Sequence, residues 1–144
     1  MAEPEVKENP MRPLLCCLLP AALSAVAFAA PADDQSQKGG EAWLSLVDRQ
    51  NYSESWAQSG SLFRSRVSQQ RWAEMARQVR EPLGGVISRK VLSTTTTRTL
   101  PRAPEADYVV LRFQTSFQAK SEAIETLTVV LEDGQWKAVG YYIK

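Results

Sequence analysis

Near its end the chain reads "ETLTVVLEDGQWKAVGYYIK", and the Asp133-Gly134 pair in that stretch constrains the fold more than any other feature. Asp-Gly between two alternating apolar runs predicts a two-residue β-hairpin, because the tight turn needs positive φ at its central positions. A hairpin of this kind sets a register, and register decides which side chains share a face. Counting outward from the turn pairs Leu131 with Trp136, Val129 with Ala138, Leu127 with Gly140 and Glu125 with Tyr142. The opposite face then carries Val130 with Lys137, Thr128 with Val139 and Thr126 with Tyr141.

Upstream, "YVVLRFQTSF" alternates in the same way and puts Val109, Leu111, Phe113 and Phe117 on one face. With the intervening "QAKSEA" as a loop, Phe117 falls near Glu125, and Thr115, Phe113 and Leu111 face Leu127, Val129 and Leu131. Before it, "VISRKVLSTTTTRTL" is rich in β-branched residues and reads as one long strand. Its Thr94 to Thr97 run suits an edge or solvent-facing strand, where threonine has good β-propensity without apolar exposure. The alternative is an edge that pairs with a partner's strand.

The first half has a different period. In "EAWLSLVDRQ", Trp43, Leu46 and Val47 stand at i, i+3 and i+4, which predicts an amphipathic helix of about three turns. Asn51-Tyr52 interrupts it, Ser53 can cap a second segment carrying Trp56, and Gly60-Ser61 loosens the chain before "LFRSRV". Ser68 caps the clearest helix, whose Trp72, Met75, Ala76, Val79 and Leu83 repeat at helical spacing until Pro82 and Gly84-Gly85 end it. Helices first and a meander of three to four strands after them give an α+β class, with N-terminal helices packed on one face of a curved antiparallel sheet. The helices carrying Trp43, Trp56 and Trp72 are expected to cover the apolar face.

Not all 144 residues belong to that domain. "MRPLLCCLLPAALSAVAFAA", residues 11–30, has a lone positive charge, an apolar run and Ala27-Phe28-Ala29, the order of a secretory signal with its cleavage site. The run is short for a transmembrane helix and contains Pro20, so residues 1–29 are read as a removed signal rather than an anchor. Glu3, Glu5 and Glu8 do not suit the start of a signal, which points to translation from Met11. Residues 30–40, polar and aperiodic, read as a flexible leader, and 41–144 as a single domain.

Cys16 and Cys17 sit within the apolar run after Leu14-Leu15, where lipid attachment does not fit, and both leave with the signal. The chain has no histidine. Together these absences exclude a Cys/His zinc site, a thiol nucleophile, a Ser-His-Asp triad and a histidine switch, and no cofactor motif or metal-ligand cluster is present. Seventeen basic residues against 16 acidic ones give no electrostatic case for nucleic acid or an anionic membrane. Expected localisation is periplasmic or secreted.

One residue breaks the apolar pattern. Glu125 shares the core face with Leu127 and Val129, where an unpaired carboxylate would cost several kcal/mol. Arg80 and Arg89 are its candidate cations, and Tyr142, Thr115 and Phe117 its neighbours. Two readings follow. Glu125 closes the end of the core as an internal ion pair, or Glu125, Tyr142, Thr115 and Arg80 form the polar set of a pocket walled by Trp43 or Trp56.

The stretches "AWLSLVDRQNYSESW", "WAEMARQVREPLGGVISRKVLS", "YVVLRFQTSF" and "ETLTVVLEDGQWKAVGYYIK" together resemble a family of secreted bacterial proteins, domain of unknown function 4019. The resemblance runs from Glu41 to Lys144. It implies a small α+β domain of cystatin-like or nuclear-transport-factor-2-like kind, and it implies no activity or catalytic residue. The expected function is a non-catalytic binding domain of the cell envelope for a small molecule or peptide. A first alternative is a protein-interaction module, or homodimer, using the threonine-rich strand or a back row of Val139, Tyr141 and Ile143. The second is an enzyme with Glu125 as acid or base.

Overall fold

The computed structural model describes residues 31–144. The signal-like stretch and the Met11 start lie outside the described residues. Helix α1 (Ala32–Asp48), α2 (Tyr52–Ala57), α3 (Ser61–Arg66) and α4 (Gln69–Arg80) precede strands β1 (Val86–Thr97), β2 (Tyr108–Phe117), β3 (Lys120–Glu132) and β4 (Gln135–Ile143). The strands form one antiparallel sheet in the order β1-β2-β3-β4, so the α+β expectation holds with four strands.

Local chemistry accounts for most of these boundaries. The Ser68 hydroxyl accepts from the Arg71 amide at 3.2 Å and caps α4 as its sequence predicts. A 3₁₀ turn over Glu81–Leu83 carries Pro82 and runs into Gly84 at φ +73°, a conformation only glycine adopts without strain. Asp133 and Gly134 both take positive φ, +53° and +74°, as the tight hairpin requires.

Three elements depart from the sequence expectation. Helix α1 begins at Ala32, so most of the expected flexible leader is its first half. Its buried stripe is Ser36, Gly40, Trp43, Leu44 and Val47, with Leu46 turned partly outward. The Ser36 hydroxyl donates to the Asp33 carbonyl at 2.9 Å, which lets a polar residue be buried. Gly39 and Gly40 are there for close approach. A Cβ on Gly40 would lie 2.6 Å from Leu111 Cδ1, and one on Gly39 2.9 Å from Trp136 Cβ. The Gly60-Ser61 pair, expected to loosen the chain, instead opens α3 at Ser61. The Gly60 amide donates to the Ala138 carbonyl at 2.8 Å, and Ser61 donates from its amide and hydroxyl to Glu132 at 3.0 and 2.9 Å. This link covers the first half of the β4 edge. The threonine-rich strand β1 is the other edge, as expected.

The third departure is register. Leu131 does oppose Trp136, Val129 opposes Ala138, and Val130 opposes Lys137. A bulge then inserts Val139, so Thr128 meets Gly140, Leu127 meets Tyr141 and Glu125 meets Ile143. Ala138 and Tyr141, three residues apart, therefore share the helix-covered face, which an uninterrupted strand forbids. On the other side β3 starts at Lys120, because the expected loop is only the Gln118-Ala119 turn. Phe113 now opposes Glu125, Leu111 opposes Leu127 and Val109 opposes Val129, a shift of four from expectation. An even shift preserves the faces, so the core composition survives the error.

That core is Val109, Leu111, Phe113, Leu127 and Val129 from the sheet under Trp43, Leu44, Val47, Tyr52, Phe63, Trp72 and Ala76 from the helices. On α4 the buried stripe is Trp72, Ala76 and Arg80 at intervals of four, leaving Met75 and Val79 exposed.

Candidate functional site

Glu125 is fully buried, 0% exposed, at the centre of a network drawn from six elements. Its Oε1 accepts from Arg89 Nε at 2.7 Å and from the Thr115 hydroxyl at 2.5 Å, and its Oε2 accepts from the Tyr141 hydroxyl. Thr115 on β2 and Tyr141 on β4 are the diagonal neighbours of Glu125 across the sheet, which is how both reach the same carboxylate. Arg89 extends from β1 to hold Asp48 as well, through NH1 at 2.7 Å and NH2 at 3.0 Å. Asp48, the last residue of α1, also accepts from Arg80 NH2 at 2.7 Å, and Arg80 NH1 donates to the Tyr141 hydroxyl at 3.3 Å. Two arginines and two carboxylates balance, with every terminal oxygen occupied.

The electrostatics follow from burial against pairing. For Asp48, burial works against ionisation, but hydrogen bonds and charges of Arg89 and Arg80 outweigh it and hold the carboxyl below its ordinary range. This also offsets the unfavourable place of a carboxylate at a helix C-terminus. Burial pushes the Tyr141 hydroxyl well above its usual range, and the Glu125 charge adds to the shift, so Tyr141 remains a donor. The paired carboxylates raise both arginines against the desolvation that lowers them.

Aromatic rings roof the network. Tyr141 meets Trp43 edge-on with centroids 5.5 Å apart, and Trp72 at 6.3 Å. The Trp43 indole N–H donates to the Ser55 carbonyl at 2.8 Å and the Ser59 hydroxyl at 3.0 Å, and Trp72 donates to the Ser55 hydroxyl at 2.9 Å. Both indoles are thus committed within the helical layer.

Of the sequence-predicted residues, Glu125, Thr115 and Arg80 join one network and Trp43 covers it. Tyr142 does not. It points to the opposite face, is 54% exposed, and the Val139 bulge gives its expected place to Tyr141. Tyr141 and Ile143 correspondingly leave the back row in which they were expected with Val139, pairing with Leu127 and Glu125 on the helix-covered face. Sequence reasoning missed Asp48 as a partner, since it reads as part of a helix's polar face. Its position four residues C-terminal to Leu44, at the end of the buried stripe, is the signal that could have found it.

Among the described residues, neither Glu125 nor Thr115 lines any of five clefts on the domain's surface. Openings occur around the network's outer members. An apolar groove of about 240 Å³ lies between α4 and the end of β4, lined by Trp72, Met75, Val79, Tyr141, Tyr142 and Ile143, with Arg80 at its side. A cleft of about 280 Å³ lies on another side of Arg80, beside Asp48 and Tyr52. A further groove of about 700 Å³ lies between α1 and the β3–β4 turn and includes Trp43. Among the described residues no group of His, Cys, Asp and Glu could hold a metal ion, and no helix is long and apolar enough to cross a membrane.

The family described as protein of unknown function (DUF4019) matches residues 39–141, from the second half of α1 to Tyr141. No curated protein matches the chain.

Proposed function

Because the chain belongs to the DUF4019 family, whose description assigns no activity, we propose its function from the site alone: it is a non-catalytic, periplasmic or secreted domain that binds an extended peptide along β4. The signal-like residues 11–30 support the location. The occupied oxygens of Glu125 support a scaffold role for that carboxylate rather than acid–base work, which needs a group free to take a proton from a substrate.

The carrying observation is the free half-edge of β4. Ile124 and Lys144 exchange both backbone hydrogen bonds at 3.0 Å, so the ladder makes Glu125–Ile143 and Leu127–Tyr141 the pairs whose β4 backbone groups point outward. The outward N–H and C=O groups of Tyr141 and Ile143 take no backbone partner among the described residues, while the earlier part of the edge is covered through Gly60. Directly beside them lies the apolar groove with Met75 42%, Val79 48% and Tyr142 54% exposed. A strand added to β4 gains backbone hydrogen bonds from the edge and sinks alternate apolar side chains into the groove. Arg80, buried at the groove's side, and the Trp72–Tyr141 floor hold its shape.

The test uses a displayed library of random extended heptapeptides selected on the folded domain. Binders with apolar residues at alternate positions are expected. Ile143→Pro removes one outward N–H without touching the ladder to β3, and it should weaken them at least about tenfold. Val79→Asp should do the same through the groove, with thermal midpoints little changed. A library without binders, or binders indifferent to both substitutions, defeats the reading. A dimer seen by light scattering and abolished by Ile143→Pro would assign the same edge to a second copy of this chain instead of a peptide.

A further inference from the structure

The groove of about 700 Å³ between α1 and the β3–β4 turn shares no lining residue with the apolar groove beside the end of β4. Its volume falls within the roughly 300–1,000 Å³ of small-molecule sites. One tryptophan sets it apart. Of the chain's four, Trp43, Trp56 and Trp72 each commit the indole N–H internally, Trp56 to the Val67 carbonyl at 2.7 Å. Trp136, which lines the groove, donates to none of the described residues, and its nitrogen is not among the buried unpaired atoms, so solvent reaches it. Its position is nonetheless fixed. It packs partly buried against the core, opposite Leu131, and Gly39 brings the α1 backbone so close that a Cβ there would lie 2.9 Å from Trp136 Cβ.

Three glutamines line the same groove, Gln35 from α1, Gln58 at the end of α2 and Gln135 at the start of β4. All are exposed. The side chains of Gln35 and Gln135 take no partner among the described residues, and Gln58 donates to Glu54 at 2.7 Å while its own carbonyl oxygen stays open. A side-chain amide offers donors and an acceptor side by side, which suits groups that themselves both donate and accept. Lys137 is the one charged lining residue, and Glu132 meets its charge at 3.6 Å. An acidic ligand would find no unmatched cation in the lining, so the groove favours a neutral one.

We infer that this groove binds a neutral saccharide. Its hydroxyls, each both donor and acceptor, bond to the three amides and to the Trp136 indole N–H, and the C–H groups of its ring pack on the indole. An extended peptide fits less well, because the adjoining strand edge is already taken where the Gly60 amide donates to the Ala138 carbonyl at 2.8 Å.

Glucose, N-acetylglucosamine, cellobiose and glucuronate, titrated separately into the protein, provide the test through the Trp136 indole N–H resonance, assigned by its loss in Trp136→Phe. At least one neutral sugar should move that resonance saturably and leave those of Trp56 and Trp72 in place. By calorimetry, Gln35→Ala and Gln135→Ala should each weaken binding about fivefold, and Trp136→Phe about tenfold. The two glutamines are exposed, so their replacement should leave the thermal midpoint unchanged. A response to glucuronate alone overturns the neutral assignment. Binding indifferent to all three substitutions, or no saturable shift with any of these sugars, overturns the site. Sugar binding should survive Ile143→Pro, which makes this outcome separable from failure of the peptide reading.

Discussion

Glu125 is where one side chain carries the most consequence. A fully buried carboxylate that loses its charge leaves Arg89 and Tyr141 with a weaker acceptor, and breaking such a pair is strongly destabilising. Glu125→Gln should therefore lower stability by about 3 kcal/mol in denaturant unfolding, whereas a catalytic role would spare the fold. The twin tyrosines separate the same way. Tyr141→Phe removes a donor to Glu125 and should cost about 1–3 kcal/mol, and Tyr142→Phe should cost almost nothing. The pH dependence has two limbs. Asp48 has a depressed folded pKa, so its contribution is present above the unfolded value near 3.9 and lost as pH falls through the folded one. Tyr141 and Tyr52 have raised folded pKa values, so stability should decline as pH rises above about 10, where the unfolded tyrosines ionise first. Thermal midpoints across that range check both signs. That Glu125 faces inward was legible from alternation alone. Its tyrosine was not, because a single inserted residue reverses the parity of everything beyond it.

Among the elements, α1 shows how small residues can mislead. Lys38-Gly39-Gly40 after a polar run resembles a loop, since glycine weakens an isolated helix by up to about 1 kcal/mol each. Against the sheet those glycines allow a backbone approach that no side chain permits. Gly40→Ala gains that helix propensity but drives a methyl into Leu111, itself fully buried against Leu127. Overpacking of about 1–3 kcal/mol should prevail, giving a net loss of up to about 2 kcal/mol measured by urea unfolding. The β4 bulge has a comparable origin. Alternation from the Asp-Gly turn held through Val129–Ala138, and it failed where Val139 meets Gly60 rather than a strand partner. Ser68, Pro82 and the hairpin turn were readable because their causes are local: a hydroxyl, a ring and a pair of positive φ angles.

At the scale of the whole molecule, the helices and sheet meet through α1, which contacts all four strands. A chain beginning at Glu41, the boundary that periodicity suggests, lacks Ser36, Gly39 and Gly40. It should be less stable than 31–144 by at least about 2 kcal/mol from the uncovered Leu111 and Trp136 surfaces. Differential scanning calorimetry of the two fragments decides this. What the sequence determined by itself was whatever depends on period and on local turn chemistry: the α+β order, the hairpin, the α4 cap, the core faces and the inward Glu125. Tertiary structure alone decided the rest. It made a polar leader into helix, chose Tyr141 over Tyr142 and brought Asp48 to Arg80 and Arg89. Those outcomes depend on which surfaces come within a few ångströms of each other, and residue spacing along a chain carries no record of that.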